Sequence, residues 1–288
     1  MLRPLNSPTE LGAQALYWAG STGLMMELIT LLLSGLLLIV SPVGIVLDQL
    51  AEDAIRDRIF GAEDLAVRID NAPPLQVLQG KVERVRIAGR GISPVPELRI
   101  AVAELETDPI DLNFGQLRQG RVVLDRPLQG ALRVVLTPDD LNRFLVSPQT
   151  RERLSQIQLR LPAGQSREAD RYELRNPQIT FLENNRIAIA FDLQDQVLDN
   201  RLSIVAAAGL GMTNGHQLVL TEPALTVDGA AAPPQLVEPL LNSVNQQLSL
   251  KALETAGVTA RILQLQVQPE ALELSLWLRV EPSVTASP

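Results

Sequence analysis

The chain has 288 residues, a formal net charge of -8 and a sequence pI near 4.9, which fits one large domain or two small ones. This acidic balance argues against a general nucleic-acid binder, because phosphate neutralisation needs clustered Lys and Arg and lysine occurs only at Lys81 and Lys251, the other basic residues being arginine. There is no cysteine and His216 is the single histidine, which excludes disulfides, thiolate metal sites and thiol catalysis and leaves little for histidine-based triads.

Residues Leu24 to Val40, LMMELITLLLSGLLLIV, form a nearly unbroken apolar run that resumes from Val43 to Leu47. About 20 residues cross the hydrocarbon core of a bilayer as a helix, so this stretch predicts a membrane anchor. A retained anchor is favoured over a cleaved signal peptide. The preceding region carries Arg3, Glu10 and Trp18 in place of a short basic cap, and no clean small-x-small site follows. The expected segmentation is a leader over 1–23, the anchor over 24–47, a folded domain over 48–282 and a tail over 283–288. Counting Lys and Arg on either side of the span places the following domain in the cytoplasm by a narrow margin.

After Pro42 the pattern turns amphipathic. Leu47, Leu50, Ala51, Ala54, Ile55 and Ile59 share one helical face, opposite Gln49, Glu52, Asp53 and Arg56. From Gly61 to about Leu136 the dominant period is two, as in Leu65-x-Val67-x-Ile69, Leu98-x-Ile100-x-Val102 and Val122 to Leu124, which predicts a meander of strands. In the strand LQGKVERVRIAGRG, Val85 and Ile87 point one way and Arg84, Arg86 and Arg90 the other. This basic side is either a solvated face that discourages edge pairing or a contact for anionic head groups through Lys81, Arg84, Arg86 and Arg90.

The segment LTPDDLNRFL predicts a short helix: Thr137 as N-cap, Pro138 at the first position, Asp139 and Asp140 at the positive end of the dipole. Those two adjacent carboxylates are read as capping groups and not as an acid–base pair, because neighbours in a helix do not face one point. Ser147-Pro148 breaks this helix before a second short piece. Strands return as QIQLRL, QITFL, RIAIAFDL, LSIVAAAGL and QLVLTEPALTV, with Asn184-Asn185 and Asn214-Gly215 at hairpin turns that need positive φ. In LVEPLLNSVNQQLSL, Val237, Leu240, Leu241, Val244 and Leu248 follow helical spacing, and two last strands pair across Pro269-Glu270.

No metal site is expected, since Asp192, Asp195 and Asp199 lack the spacing of a Ca²⁺ loop. No dinucleotide cradle is expected either, because neither GRG at Gly89 nor GLG at Gly209 continues to GxGxxG. No nucleophile, base and orienting group converge, so the chain reads as a non-enzyme without cofactors. Aromatic residues make up only 3% of it, and an interior of Leu, Ile, Val and Ala suits acyl chains as well as it suits a dry core.

Three segments resemble the LmeA family of phospholipid-binding cell-envelope proteins. They are LAVRIDNAPPLQVLQGKVERVRIAGRGI, LRIAVAELETDPIDLNF, and VVLTPDDLNRFL with Leu136, Thr137, Asp140, Leu141, Asn142 and Leu145 at the motif positions. The resemblance implies an α+β fold of elongated, tubular form, with a long, curved, mostly antiparallel sheet wrapped around helices. It also implies a non-enzymatic phospholipid binder in cell-envelope lipid homeostasis, its domain outside the cytoplasmic membrane or in a lumen. Acyl chains are then expected against Leu141, Phe144, Leu145, Leu240, Leu241, Val244 and Leu248, the apolar faces of the two later helices. The competing expectation is a non-catalytic, membrane-tethered interaction module with a solid core.

Overall fold

The computed structural model describes Arg56 and residues 59–71, 79–117, 123–155, 172–195 and 200–282. The expected anchor, most of the amphipathic helix after it and the expected strand over 156–161 lie outside the described residues. Among the described residues no helix is long and apolar enough to cross a membrane.

In chain order the first half runs β1 (Asp64–Asp70), β2 (Lys81–Val82), β3 (Arg84–Val95), β4 (Leu98–Thr107), β5 (Ile110–Asp111) and the short α1 (Phe114–Leu117). It continues with β6 (Leu128–Leu136), α2 (Pro138–Leu145) and α3 (Pro148–Ser155). The second half runs β7 (Tyr172–Leu182), β8 (Arg186–Asp195), β9 (Arg201–Thr213), β10 (Gln217–Val227), β11 (Ala230–Ala231) and α4 (Pro234–Gln247). A 3₁₀ helix (Leu250–Ala256), β12 (Val258–Gln268) and β13 (Ala271–Val280) complete it.

The strands are antiparallel, as expected, but they form two main open sheets instead of one long one. One has six strands in the order β1-β3-β4-β6-β13-β12, the other five in the order β11-β10-β9-β8-β7, and β2 pairs with β5 alone. The break between sheets falls at β12. The tips of the β7–β8 and β9–β10 hairpins abut the free edge of β12: Val267 N donates to Asn185 Oδ1 at 2.7 Å and Ile262 N to Gly215 O at 2.6 Å. Turn atoms thus satisfy amide groups that a continuous ladder would have used. Both turns have positive φ where the sequence anticipates it, at Asn184, Asn185, Asn214 and Gly215. Of the expected strand at Val122 to Leu124, Val122 lies outside the described residues and Leu124 makes an isolated bridge to Leu112.

The core lies on the inner face of the six-stranded sheet, where Leu65, Ile87, Leu105, Leu132, Leu276 and Ala260 are buried. Each fully buried Leu or Ile contributes about 1.5–3 kcal/mol. Gly89 belongs to this face for a steric reason, because a Cβ there would stand 2.2 Å from Ile92 Cδ1. Helix α2 packs against β4 of one sheet and β7 of the other, and so fastens the two together.

Two asparagines do similar work at opposite edges of the five-stranded sheet. Asn142 of α2 donates to Ile179 O at 2.8 Å and accepts from Ile179 N at 2.7 Å, on edge strand β7. Asn245 of α4 accepts from Leu220 N at 2.7 Å and donates to Leu220 O at 3.2 Å, on β10 before it reaches the two-residue β11. A primary amide offers one donor and one acceptor in the manner of a peptide group, so each side chain stands in for a missing strand neighbour and closes an edge.

Candidate functional site

The register of the five-stranded sheet sorts its residues into two unlike faces. On one, Phe181, Ile187 and Ala208 form a cross-strand row, followed by Ile179, Ile189, Ala206 and Leu225, then Phe191, Ile204 and Val227, then Leu174, Leu193 and Leu202. The opposite face carries Thr180, Ala188, Ala207, Asp192 and Ser203. The apolar face is not uniformly covered. Its end nearest β12, with Phe181, Ile187, Leu210, Leu218 and Leu220, packs on the main core. The far half lies outside that core: Ile189, Phe191, Leu202, Ala206, Leu225 and Val227 are half-buried there, and Leu193 and Ile204 among them are buried. A contiguous apolar surface of this kind is a candidate contact site.

The two helices stand at the two sides of this face, α2 beside β7 and α4 beside β10. They carry every residue expected to meet acyl chains except Leu248, which follows α4 directly. Leu141, Phe144, Leu145 and Leu248 are buried, while Leu241 and Val244 are half-buried. The Leu240 side chain lies outside the described set.

Helix α2 is set in place by charge. Asp140, with no exposed surface, accepts from Thr137 Oγ1 at 2.7 Å, from Arg99 Nη1 at 2.9 Å and from Arg143. Its own N–H returns a bond to Thr137 Oγ1 at 3.1 Å, which completes the N-cap. Arg99 reaches on to Glu63 at 2.9 Å. The hydrogen bonds that Arg99 donates to Glu63 hold the Glu63 carboxyl below the usual carboxylate range and the guanidinium above its own. The motif positions Thr137, Asp140 and Asn142 thus all make hydrogen bonds that hold α2 in place.

The basic side of β3 is on the outer face of the six-stranded sheet, among carboxylates. Arg86 donates through Nε to Asp70 at 3.0 Å and Arg84 lies 3.2 Å from Glu106. Arg86 draws the Asp70 carboxyl below its usual range. Arg133 bridges Glu273 and Glu104 at 3.1 Å each, and these two, Glu273 foremost, hold its guanidinium above the ordinary value. A groove of about 440 Å³ crosses this face, with Ala66, Ala88, Ala131 and Ser275 along it and Leu263, 58% exposed at a bulge of β12, at one end. Lys81 and Arg90 are exposed and make no ion pair among the described residues. Of the four expected head-group contacts, only these two are uncommitted.

The remaining sequence candidates have structural partners. Asp192 accepts from Asn176 Nδ2 at 2.8 Å and from Arg201, and those bonds, Arg201 first, hold its carboxyl below the usual range. His216 Nδ1 sits 2.9 Å from Asn214 O. Among the described residues no group of three or more His, Cys, Asp or Glu is placed to hold a metal ion.

A family model described as LmeA-like phospholipid-binding matches residues 41–276. The chain belongs to this family. Among curated proteins and among solved structures nothing matches it. The LmeA match spans both sheets, α2 and α4, so the candidate face lies within the region the family shares. Phospholipid binding, and no catalytic activity, is what the family's description names.

Asn245 was not singled out from sequence. The signal was present in a repeated pattern: LNRFL at 141–145 and VNQQL at 244–248 both place an asparagine three residues before a buried leucine.

Proposed function

We propose that this protein is a non-catalytic phospholipid binder that shelters acyl chains on the far half of the apolar face, between α2 and α4. Two adjacent rows, half-buried at Ile189, Ala206 and Leu225 and at Phe191 and Val227, carry this reading. Leaving such side chains partly in water forgoes up to about 1.5–3 kcal/mol each, and an aliphatic chain laid along them recovers that energy. Apart from Phe181 and Phe191 the face is aliphatic, which favours flexible hydrocarbon over stacked rings. Leu241 and Val244 form the α4 wall of the site, and Leu141, Phe144, Leu145 and Leu248 back it from the core. Lys81 and Arg90 supply head-group contacts, each worth about 1 kcal/mol near an anionic surface.

The apolar run over 24–47 anchors the domain to a membrane, and the domain works in the cell envelope, on the periplasmic or lumenal side. Holding or carrying envelope lipids is then its task. A second reading, a tethered interaction module with a solid core, draws on the close burial of Leu141, Phe144 and Leu145.

Native mass spectrometry of the full chain, released from detergent and offered phosphatidylglycerol, separates the two. Bound phospholipid that is lost on Ile189→Glu or Leu225→Glu, with folding retained, supports the lipid site. A lipid-free chain that takes up none, or one whose lipid ignores both substitutions, rejects it.

A further inference from the structure

We infer that the first two turns of α4 are a lid at the β10 side of the far half of the apolar face, lifting about Pro239 while Asn245 and Leu248 stay pinned. The inference rests on reading that face as the acyl-chain site. The two helices that bracket it are held unequally. Helix α2 has a side-chain cap from Thr137, acidic residues in its first turn, the buried Asp140–Arg99 pair and a buried apolar face. Helix α4 begins at an N-cap, Pro233, that makes no side-chain hydrogen bond, and it has no acidic residue in its first turn and no basic one in its last. Capping and dipole terms that hold α2 are thus missing from the start of α4.

Among the described residues, the hydrogen bonds that tie α4 to its surroundings gather at its C-terminal end. Asn245 pairs both ways with Leu220, Gln217 Nε2 donates to Asn245 O, Leu218 N donates to Leu248 O at 2.9 Å and Leu250 N to His216 O at 2.8 Å. Between these ties and the N-terminus stands Pro239, which has no N–H for the carbonyl of Gln235 and so interrupts the helical ladder in the middle of α4. The N-terminal end follows β11, which pairs with Thr226 and Val227. The loosely held half of the helix therefore stands at the half-buried end of the sheet, and the pinned half stands where the sheet joins the core. A lid hinged in this way opens the apolar face without disturbing the core.

The test is hydrogen exchange on the full chain, combined with transfer of a fluorescent phosphatidylethanolamine from phosphatidylcholine vesicles. Exchange of the Glu238 and Leu240 amides, which unlike those of the first turn have helical acceptors, should be at least about tenfold faster than over 242–248 and over the last turn of α2, as expected for a segment that opens below the global unfolding energy. Pro239→Ala restores the missing bond and should slow both that exchange and lipid transfer about tenfold. Asn245→Ala removes the pin and should spread fast exchange to the Leu220 amide and speed transfer about tenfold, with Asn245→Asp, which keeps only the acceptor, in between. Asn185→Gly, which frees Val267 N at the β12 seam, lowers stability and should leave the transfer rate alone.

Even protection along α4, or a transfer rate unmoved by Pro239→Ala, overturns the lid. So does a transfer rate that rises as much with Asn185→Gly as with Asn245→Ala. Uneven protection in a chain that takes up no lipid leaves the hinge standing and removes the acyl-chain reading instead.

Discussion

Replacing Arg99 with methionine should be among the costliest changes to a side chain that is still partly exposed. The guanidinium is about 30% exposed, yet it contacts a carboxylate with no exposure at all, at 2.9 Å. Removing one partner of a buried ion pair typically costs about 3–5 kcal/mol, because the other charge is left in a poor solvent. Here Asp140 keeps the Thr137 hydroxyl and Arg143, so the expected loss is smaller, about 2 kcal/mol. The methionine chain replaces the aliphatic stem of arginine, which confines the effect to charge. With a urea dependence of about 2 kcal/mol per M, the midpoint followed by far-UV circular dichroism should fall by roughly 1 M. Arg143→Met provides the contrast. That side chain is 64% exposed, so its loss should cost under about 1 kcal/mol although it touches the same carboxylate. Equal shifts for the two variants would refute the argument that burial, and not contact alone, gives the pair its weight. So would an Arg99→Met/Asp140→Asn double variant no more stable than the sum of its single changes allows.

Two further outcomes follow from geometry and charge. Asp192 is held by Arg201 and Asn176 with its folded pKa below the unfolded value of about 3.9, so its stabilisation is complete above that pH and fades as pH falls through the folded value. Asp192→Asn should therefore cost about 1 kcal/mol at pH 7 and progressively less below about pH 4, which thermal melts across that range would reveal. An unchanged gap in acid would mean the pair contributes nothing through charge. Gly89→Ala forces a Cβ to 2.2 Å from Ile92 Cδ1 within a side chain that has no exposed surface, and should cost about 1–3 kcal/mol. Combining it with Ile92→Val, which removes that methyl, should recover part of the melting temperature, and no recovery would place the strain elsewhere.

Local chemistry made much of this fold legible. Alternation in RIAIAFDL and LSIVAAAGL gave strands because one face of each is buried, and the Asn-Asn and Asn-Gly turns declared themselves through residues that tolerate positive φ. Thr137, Pro138 and the two aspartates marked the start of α2 for similarly local reasons. What the sequence concealed are bonds between distant residues. Nothing near Asn142 indicates that its amide will meet Ile179, 37 positions away, or that Arg99 will reach Asp140 across 41. The division into two sheets was hidden for the same reason, since it depends on where the Asn185 and Gly215 turns come to rest on β12. The arginines of β3 were visible, but not their carboxylates on β1 and β4, and these decide that Arg84 and Arg86 are occupied.

The seam at β12 bears on the order in which the molecule is assembled. Of all the described strands, the β12–β13 hairpin leaves the ribosome last, yet β13 completes the layer begun by β6, and β12 is the ledge on which the other layer rests. Until those final residues emerge, β6 has a bare flank and the two earlier hairpin tips have nowhere to seat. Consolidation of both layers therefore waits for β12 and β13, and a nascent chain that has not yet reached them remains pliable.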